Sequence, residues 1–222
     1  MARIFEYGPK ETDYLKSKDK VFAGYIDKIG PIERGIDTDL FSSVVHHIIG
    51  QQISTKAQET IWRRLLACFG AADAVSLANA SIEVLQSFGM TFKKAEYIKE
   101  FAQKTISGEF DLSAVAKMSD EQAIKALASL KGVGVWTAEM ILLFCLQRPN
   151  IFSFGDLALQ RGLRMAYRHR KIDRKLFEKY RRRFSPYCSV ASLYLWAIAG
   201  GALPALKDRA PKQKKNGQSR RV

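Results

Sequence analysis

Apolar residues along this 222-residue chain recur every three to four positions, and Val, Ile and Thr rarely alternate with polar residues over the length of a strand. The pattern predicts an almost wholly helical protein. Residues 12–29 read as one helix that loses some regularity at Gly24 and stops at Gly30-Pro31. Asp39 caps a helix through Ile49, and Ser54 starts another that runs to Phe69 and ends at Gly70. Short helices follow over 72–78 and 81–88. Residues 92–107 are strongly amphipathic, with Gly108 behind them, and Ser119 caps 121–130 with Gln122 at the capping-box position. Helices over 135–147, 156–167, 174–184 and 186–200 complete the chain, with a turn at Arg148-Pro149-Asn150 and no internal repeat.

Composition narrows the partner. Hydrophobic residues are 47% and charged residues 26%, ordinary for a globular chain long enough for one large domain or two lobes with a real core. The net charge of +14 suits a polyanion. Part of it is a tail: from Lys207 onward seven basic residues face one acidic residue, Asp208, and the body still carries +8. That basic tail, 207–222, is expected to be disordered and to add salt-dependent affinity. Cys68, Cys145 and Cys188 match no zinc or iron–sulfur spacing, and Cys68 and Cys145 read as buried thiols of a reducing compartment. With no secretory signal and no apolar run of spanning length, the expectation is a cytoplasmic or nucleoid-associated protein that does not meet a membrane.

Chemistry concentrates in Leu130-Lys131-Gly132-Val133-Gly134-Val135-Trp136-Thr137-Ala138. This reads as helix, glycine turn, helix. Glycines at 132 and 134 let backbone N–H groups around Gly132, Gly134, Val135 and Trp136 approach a phosphate oxygen, and the positive end of the next helix points the same way. A plain helix C-cap needs only one glycine. The carbonyls of Ala128, Leu130 and Val133 face away from the phosphate side and could hold a monovalent cation, Na+ or K+. Asp156 follows 22 residues after Gly134, a lone carboxylate among apolar and basic residues. By position alone it is a helix N-cap; a capping carboxylate can also be a reactive one.

Leu130–Ala138 followed by Asp156 resembles the helix–hairpin–helix DNA glycosylase superfamily. Three further stretches are similar to its DNA-3-methyladenine glycosylase II branch: His47-Ile48-Ile49-Gly50-Gln51-Gln52-Ile53-Ser54, Gly89-Met90-Thr91-Phe92-Lys93-Lys94-Ala95, and Ser185-Pro186-Tyr187 followed by Tyr194-Leu195-Trp196. The resemblance runs from about Gly30 to Gly200. Cys188 departs from it, standing where an Arg is usual, and the short stretch before the Gln-Gln motif implies a compact form without an N-terminal β-domain.

The resemblance implies an all-α, two-lobed fold with a cleft between the lobes: residues 36–130 as one lobe with the Gln-Gln loop, residues 1–35 with 131–206 as the other, carrying the hairpin and Asp156. It implies a monomeric enzyme that flips a damaged nucleotide out of duplex DNA and breaks the base–sugar bond, with Asp156 stabilising an oxocarbenium-like transition state. Relatives that also cut the strand have a Lys two residues after the second hairpin glycine; Trp136 stands there, so free base and an intact abasic site are expected, with no required cofactor, iron–sulfur cluster or zinc. Trp136, Trp196 and Tyr187 are the candidate base pocket, since aromatic faces attract a cationic alkylated base by roughly 0.5–2 kcal/mol; each could equally be core packing. Trp62 reads as core.

Gln52, and after it Gln51, are the candidate wedge that fills the vacated stack; helix-end capping is the plainer role for an amide pair. Arg161, Arg164, Arg168, Arg170, Lys171 and Arg181–Arg183 form a basic face for phosphates, while His46 and His47 receive no role. Two readings of other kinds stay open: a hairpin module that grips DNA without chemistry, and a glycosylase for oxidised or deaminated bases.

Overall fold

The structure is a computed structural model and describes residues 3–211. Among these residues there are thirteen helices and a single isolated bridge, Ile4 to Gly35. The helices are α1 (Pro9–Lys18), α2 (Lys20–Ile29), α3 (Leu40–Gly50), α4 (Thr55–Phe69), α5 (Ala74–Asn79), α6 (Ile82–Ser87), α7 (Phe92–Ser107), α8 (Leu112–Lys117), α9 (Asp120–Ala128), α10 (Val135–Phe144), α11 (Leu157–Tyr167), α12 (Arg174–Phe184) and α13 (Cys188–Ala199). The expected caps at Asp39, Ser54 and Ser119 each accept a backbone N–H three residues on, and Gln122 closes the capping box. No described helix is long and apolar enough to cross a membrane.

Two local expectations fail for tertiary reasons, and one short helix adds to the expected set. The helix read over 12–29 is two helices. Asp19 leaves helical geometry, and its buried carboxylate takes the Phe22 N–H, the Tyr167 hydroxyl at 2.9 Å and the Arg183 guanidinium at 2.5 Å. Those bonds fix the break; Gly24 sits unremarked inside α2. The helix read to Gln147 stops at Phe144, and Gln147 turns left-handed (φ +49°) to accept the Glu6 N–H. Helix α8 is additional to the elements the sequence pattern predicts; Asp111 starts it by accepting the N–H groups of Ser113 and Ala114.

The chain forms two compact units that divide at 151, not at 130. The first holds residues 3–6 and 33–151, hence α3 to α10. Its core is built on Val44, Ile48, Leu65, Leu77, Leu85 and Ile98, with Phe41 stacked on Phe101 at 4.9 Å. Helix α10 belongs here, packed against α9 and α3 with Ala138 and Met140 to Leu143 buried. The second unit holds 7–32 and 152–211, hence α1, α2 and α11 to α13. In it α11 lies so close to α13 that a Cβ on Gly162 would stand 2.2 Å from the Leu195 carbonyl oxygen. Phe22 meets Phe184 at 4.8 Å, and Phe152 meets Phe177 at 4.6 Å. The expected disorder from 207 does not begin there: Asp208 accepts two hydrogen bonds of 2.8 Å from Arg164. Residues 212–222, with Lys212, Lys214, Lys215, Arg220 and Arg221, lie outside the described residues.

Candidate active site

In the first unit, α9 gives way to the glycine turn. The Val133 N–H closes on the Leu130 carbonyl at 3.0 Å, so of the carbonyls proposed for a cation Leu130 offers only its second lone pair. The two glycines do different work. Gly132 has φ +83°, and a Cβ there would meet the Tyr97 ring at 2.5 Å, so the turn and its packing both demand glycine. Gly134 has an ordinary φ of −89° and open space around its Cβ position. It begins α10 with no side-chain cap and no acidic residue in the first turn. The first-turn N–H groups, Val135's among them, have no acceptor within the helix. Beside them Val135 is 59% exposed and Trp136 46% exposed, which separates Trp136 from plain core. An uncapped helix start with open space before it suits a phosphate oxygen.

The Gln-Gln loop follows α3. Gln51 is half-buried and its amide donates to the Gly132 carbonyl, tying loop to hairpin across 81 residues of sequence. Gln52 is exposed and left-handed (φ +57°), a conformation a non-glycine residue holds only when its surroundings impose it. A Cβ at Gly50 would displace the Gln58 amide, which donates to the His46 carbonyl at 2.9 Å.

In the second unit, Asp156 is the N-cap of α11. It is 7% exposed, and its Oδ1 accepts the Leu159 N–H at 2.7 Å. Gln160 supports the turn by donating to the Phe154 carbonyl at 2.7 Å. The bare positional reading, a cap, is therefore right; the bond also fixes the direction of the carboxylate. Leu157, the next residue, is 79% exposed. Trp196 on α13 and Tyr187 just before it are half-buried, and Tyr187 packs edge-on against Tyr14 at 5.1 Å.

The basic face divides. Arg164 and Arg161 share Asp208, Arg181 pairs with Glu178 and Arg183 with Asp19, whereas Arg168, Arg170, Lys171 and Arg182 are exposed. Cys68 is exposed, not buried; Cys145 is half-buried, and burial pushes the Cys145 and Cys188 thiols up to about 12. His46 and His47 gather at Asp37, their Nδ1 atoms 4.0 and 3.8 Å from its carboxylate. His47 Nδ1 lies 2.8 Å from the Ser43 carbonyl and the Ser43 hydroxyl donates to Asp37, so these groups already secure the start of α3. Trp62 is half-buried against the His46 ring.

The chain matches the model of the HhH-GPD superfamily of base excision DNA repair proteins over residues 45–186. It belongs to that superfamily. The match contains the Gln-Gln loop, the hairpin and Asp156. A DNA-3-methyladenine glycosidase of Bacillus halodurans superposes with a TM-score of 0.79 at 32% identity, over 94% of this chain and 96% of that one. A 3-methyladenine DNA glycosylase of Schizosaccharomyces pombe, solved in complex with abasic DNA, superposes with a TM-score of 0.75 at 25% identity, over 86% and 97%. A Bacillus subtilis protein with a provisional DNA-3-methyladenine glycosylase name is 30% identical over 173 residues; the matched region is 72% of this chain and 59% of that protein.

Sequence reasoning missed Lys94. Its ammonium donates to the carbonyls of Ile49 at 2.8 Å and Gln51 at 2.7 Å, and burial lowers its pKa below the usual lysine value. A signal existed: positions 94, 98 and 101 share one helix stripe, and Ile98 and Phe101 are buried. A lysine on an apolar stripe needs a partner.

Proposed function

We propose that this chain is a monofunctional DNA glycosylase that excises alkylated purines of the 3-methyladenine type from duplex DNA, acting as a monomer and leaving an abasic site. The observation that carries the reading is Asp156: a buried carboxylate, oriented by the Leu159 N–H, inside the segment that matches a base excision repair superfamily. In this reading the hairpin N–H groups hold a backbone phosphate, Gln52 fills the stack, and Trp136, Trp196 and Tyr187 receive the base. An alkylated ring nitrogen makes the base a cationic leaving group, so little general-acid help is needed. The C–N bond breaks, positive charge develops on the sugar, and Asp156 stabilises it and orients the attacking water. The base leaves neutral, and water adds as the hydroxyl of the abasic sugar with its second proton released to solvent. Trp136 offers no amine for a covalent sugar adduct. The chemistry requires no cofactor; the carbonyls of Ala128, Leu130 and Val133 would at most hold Na+ or K+ structurally. Such work belongs to the compartment that holds the DNA: the cytoplasm, at the nucleoid if the source is a prokaryote.

The test is release of free base from methylated duplex DNA. Wild type should release it and leave strands that break only on alkaline treatment, and borohydride should trap no protein–DNA adduct. Binding without release would favour a hairpin module that only grips DNA. Release from oxidised or deaminated duplexes but not alkylated ones would move the substrate class.

A further inference from the structure

Helix α3 ends at Gly50, but no glycine caps it. Its last carbonyls have no partner within the helix, and the residue after it, Gln51, is extended (φ −63°, ψ 131°) rather than left-handed. The cap comes from another helix. Lys94, in the first turn of α7, puts its ammonium on the carbonyls of Ile49 and Gln51, a positive charge at the negative end of α3. The loop it holds is the one whose next residue, Gln52, is forced left-handed. The same helix reaches the hairpin: Tyr97 fills the space that a side chain at 132 would need, and Glu100 pairs with Lys131 at 2.8 Å. Positions 93, 97 and 100 lie on one face, and Lys93 sits over the Tyr97 ring at 5.9 Å. Gln51 closes the circuit by donating to the Gly132 carbonyl.

We propose that Lys94 is a positioning residue for the wedge, and that α7 acts as the spacer between wedge loop and hairpin. The proposal rests on the glycosylase reading above, since a wedge matters only to a protein that everts a nucleotide. Lys94 does not touch DNA in this scheme. It holds the backbone of 49–51 so that Gln52 stands ready before DNA arrives, and binding then loses less to ordering of the loop. Without the ammonium the two carbonyls can be met only by water, and the loop can relax out of its left-handed turn. Contacts to phosphates, spread over the hairpin and basic side chains, do not depend on that turn.

The experiment compares wild type with Lys94→Met, which keeps the stem and loses the donors, and with Lys94→Cys alkylated by 2-bromoethylamine, which restores an ammonium at nearly the same length. Wild type treated with the same reagent controls for the native cysteines. Affinity is measured for undamaged duplex and for duplex carrying a tetrahydrofuran abasic-site analogue, alongside the single-turnover rate of base release. For Lys94→Met the expected result is roughly 10- to 100-fold weaker binding to the abasic analogue, the range of a lost hydrogen bond to a charged group, with undamaged duplex bound within a factor of about two. Base release should slow, and aminoethylation should restore both properties. Unchanged discrimination between the two duplexes overturns the proposal. So does a parallel loss on both duplexes with a lowered Tm, which marks Lys94 as merely structural. If instead wild type itself fails to release base or to prefer the abasic analogue, the glycosylase reading is what falls.

Discussion

Helices α10 and α11 begin in opposite ways. In ten of the thirteen described helices a Ser, Thr or Asp side chain accepts an N–H of the first turn, and α11 follows that rule through Asp156. Helix α10 breaks it: Gly134 supplies no side-chain acceptor, nothing acidic stands in the first turn, and Val135 and Trp136 are partly exposed. A capped start is complete by itself. An uncapped one keeps donors and a positive helix end for something from outside. The cap of α11 has a second use, because the bond that completes the helix also aims the carboxylate. In the proposed reading one start accounts for grip and the other for chemistry, and substitutions can separate them.

The largest separation should come from Asp156→Asn. Asn caps helices about as well as Asp, so Tm should hold while base release falls about 100- to 1,000-fold, the range seen when one electrostatic transition-state stabiliser is removed. Equal release by wild type and variant would end the catalytic assignment. Asp156→Ala should lose the same activity and in addition about 1 kcal/mol of stability, read by denaturant unfolding.

The hairpin glycines should split next. Gly132→Ala forces a Cβ to 2.5 Å from the Tyr97 ring at a left-handed φ, and should cost about 1–3 kcal/mol of stability. Gly134→Ala meets no atom within 4 Å, so Tm should barely move while affinity for duplex DNA drops by about tenfold, consistent with one weakened phosphate contact. A Gly134→Ala protein that binds DNA normally would remove the phosphate role from the start of α10.

The smallest effect tests the fold away from both helix starts. Burial lowers the pKa of His46 and of His169 below 6.5, so the folded chain binds fewer protons at these sites than the unfolded chain does. Their neutral forms suit the fold above 6.5. Stability should therefore decline gently as pH falls through 6.5 toward the lower folded values, and His46→Gln should flatten that decline in thermal unfolding. Neither helix start carries a histidine, so a matching change in DNA affinity would contradict this division.

Much of this was legible in the sequence because it is local. Helix starts at Asp39, Ser54, Ser119 and Asp156, the amphipathic stripe of α7 and the glycine turn all depend on residues within four or five positions. What was missed is nonlocal. The break at Asp19 is held by Tyr167 and Arg183, some 150 residues away, and no periodicity near Asp19 announces them. Arg164 belongs to the basic stretch read for phosphates, but Asp208, 44 residues on, holds its guanidinium. The apolar neighbours of Cys68 predict burial, yet it is exposed on α4.

The sequence by itself determined that the chain is helical, where most helices begin, and which short stretches carry glycine turn, amide pair and carboxylate, since capping and amphipathic spacing are settled by near neighbours. Only the tertiary structure decided that α10 packs with the first unit, that Gly132 is a glycine partly because of a tyrosine 35 positions earlier, and that Lys94 caps a helix other than its own. Those facts arise from burial. Where distant segments must share a small space and satisfy each other's polar groups, the identity of a partner is fixed by packing and leaves no mark in the spacing of the chain.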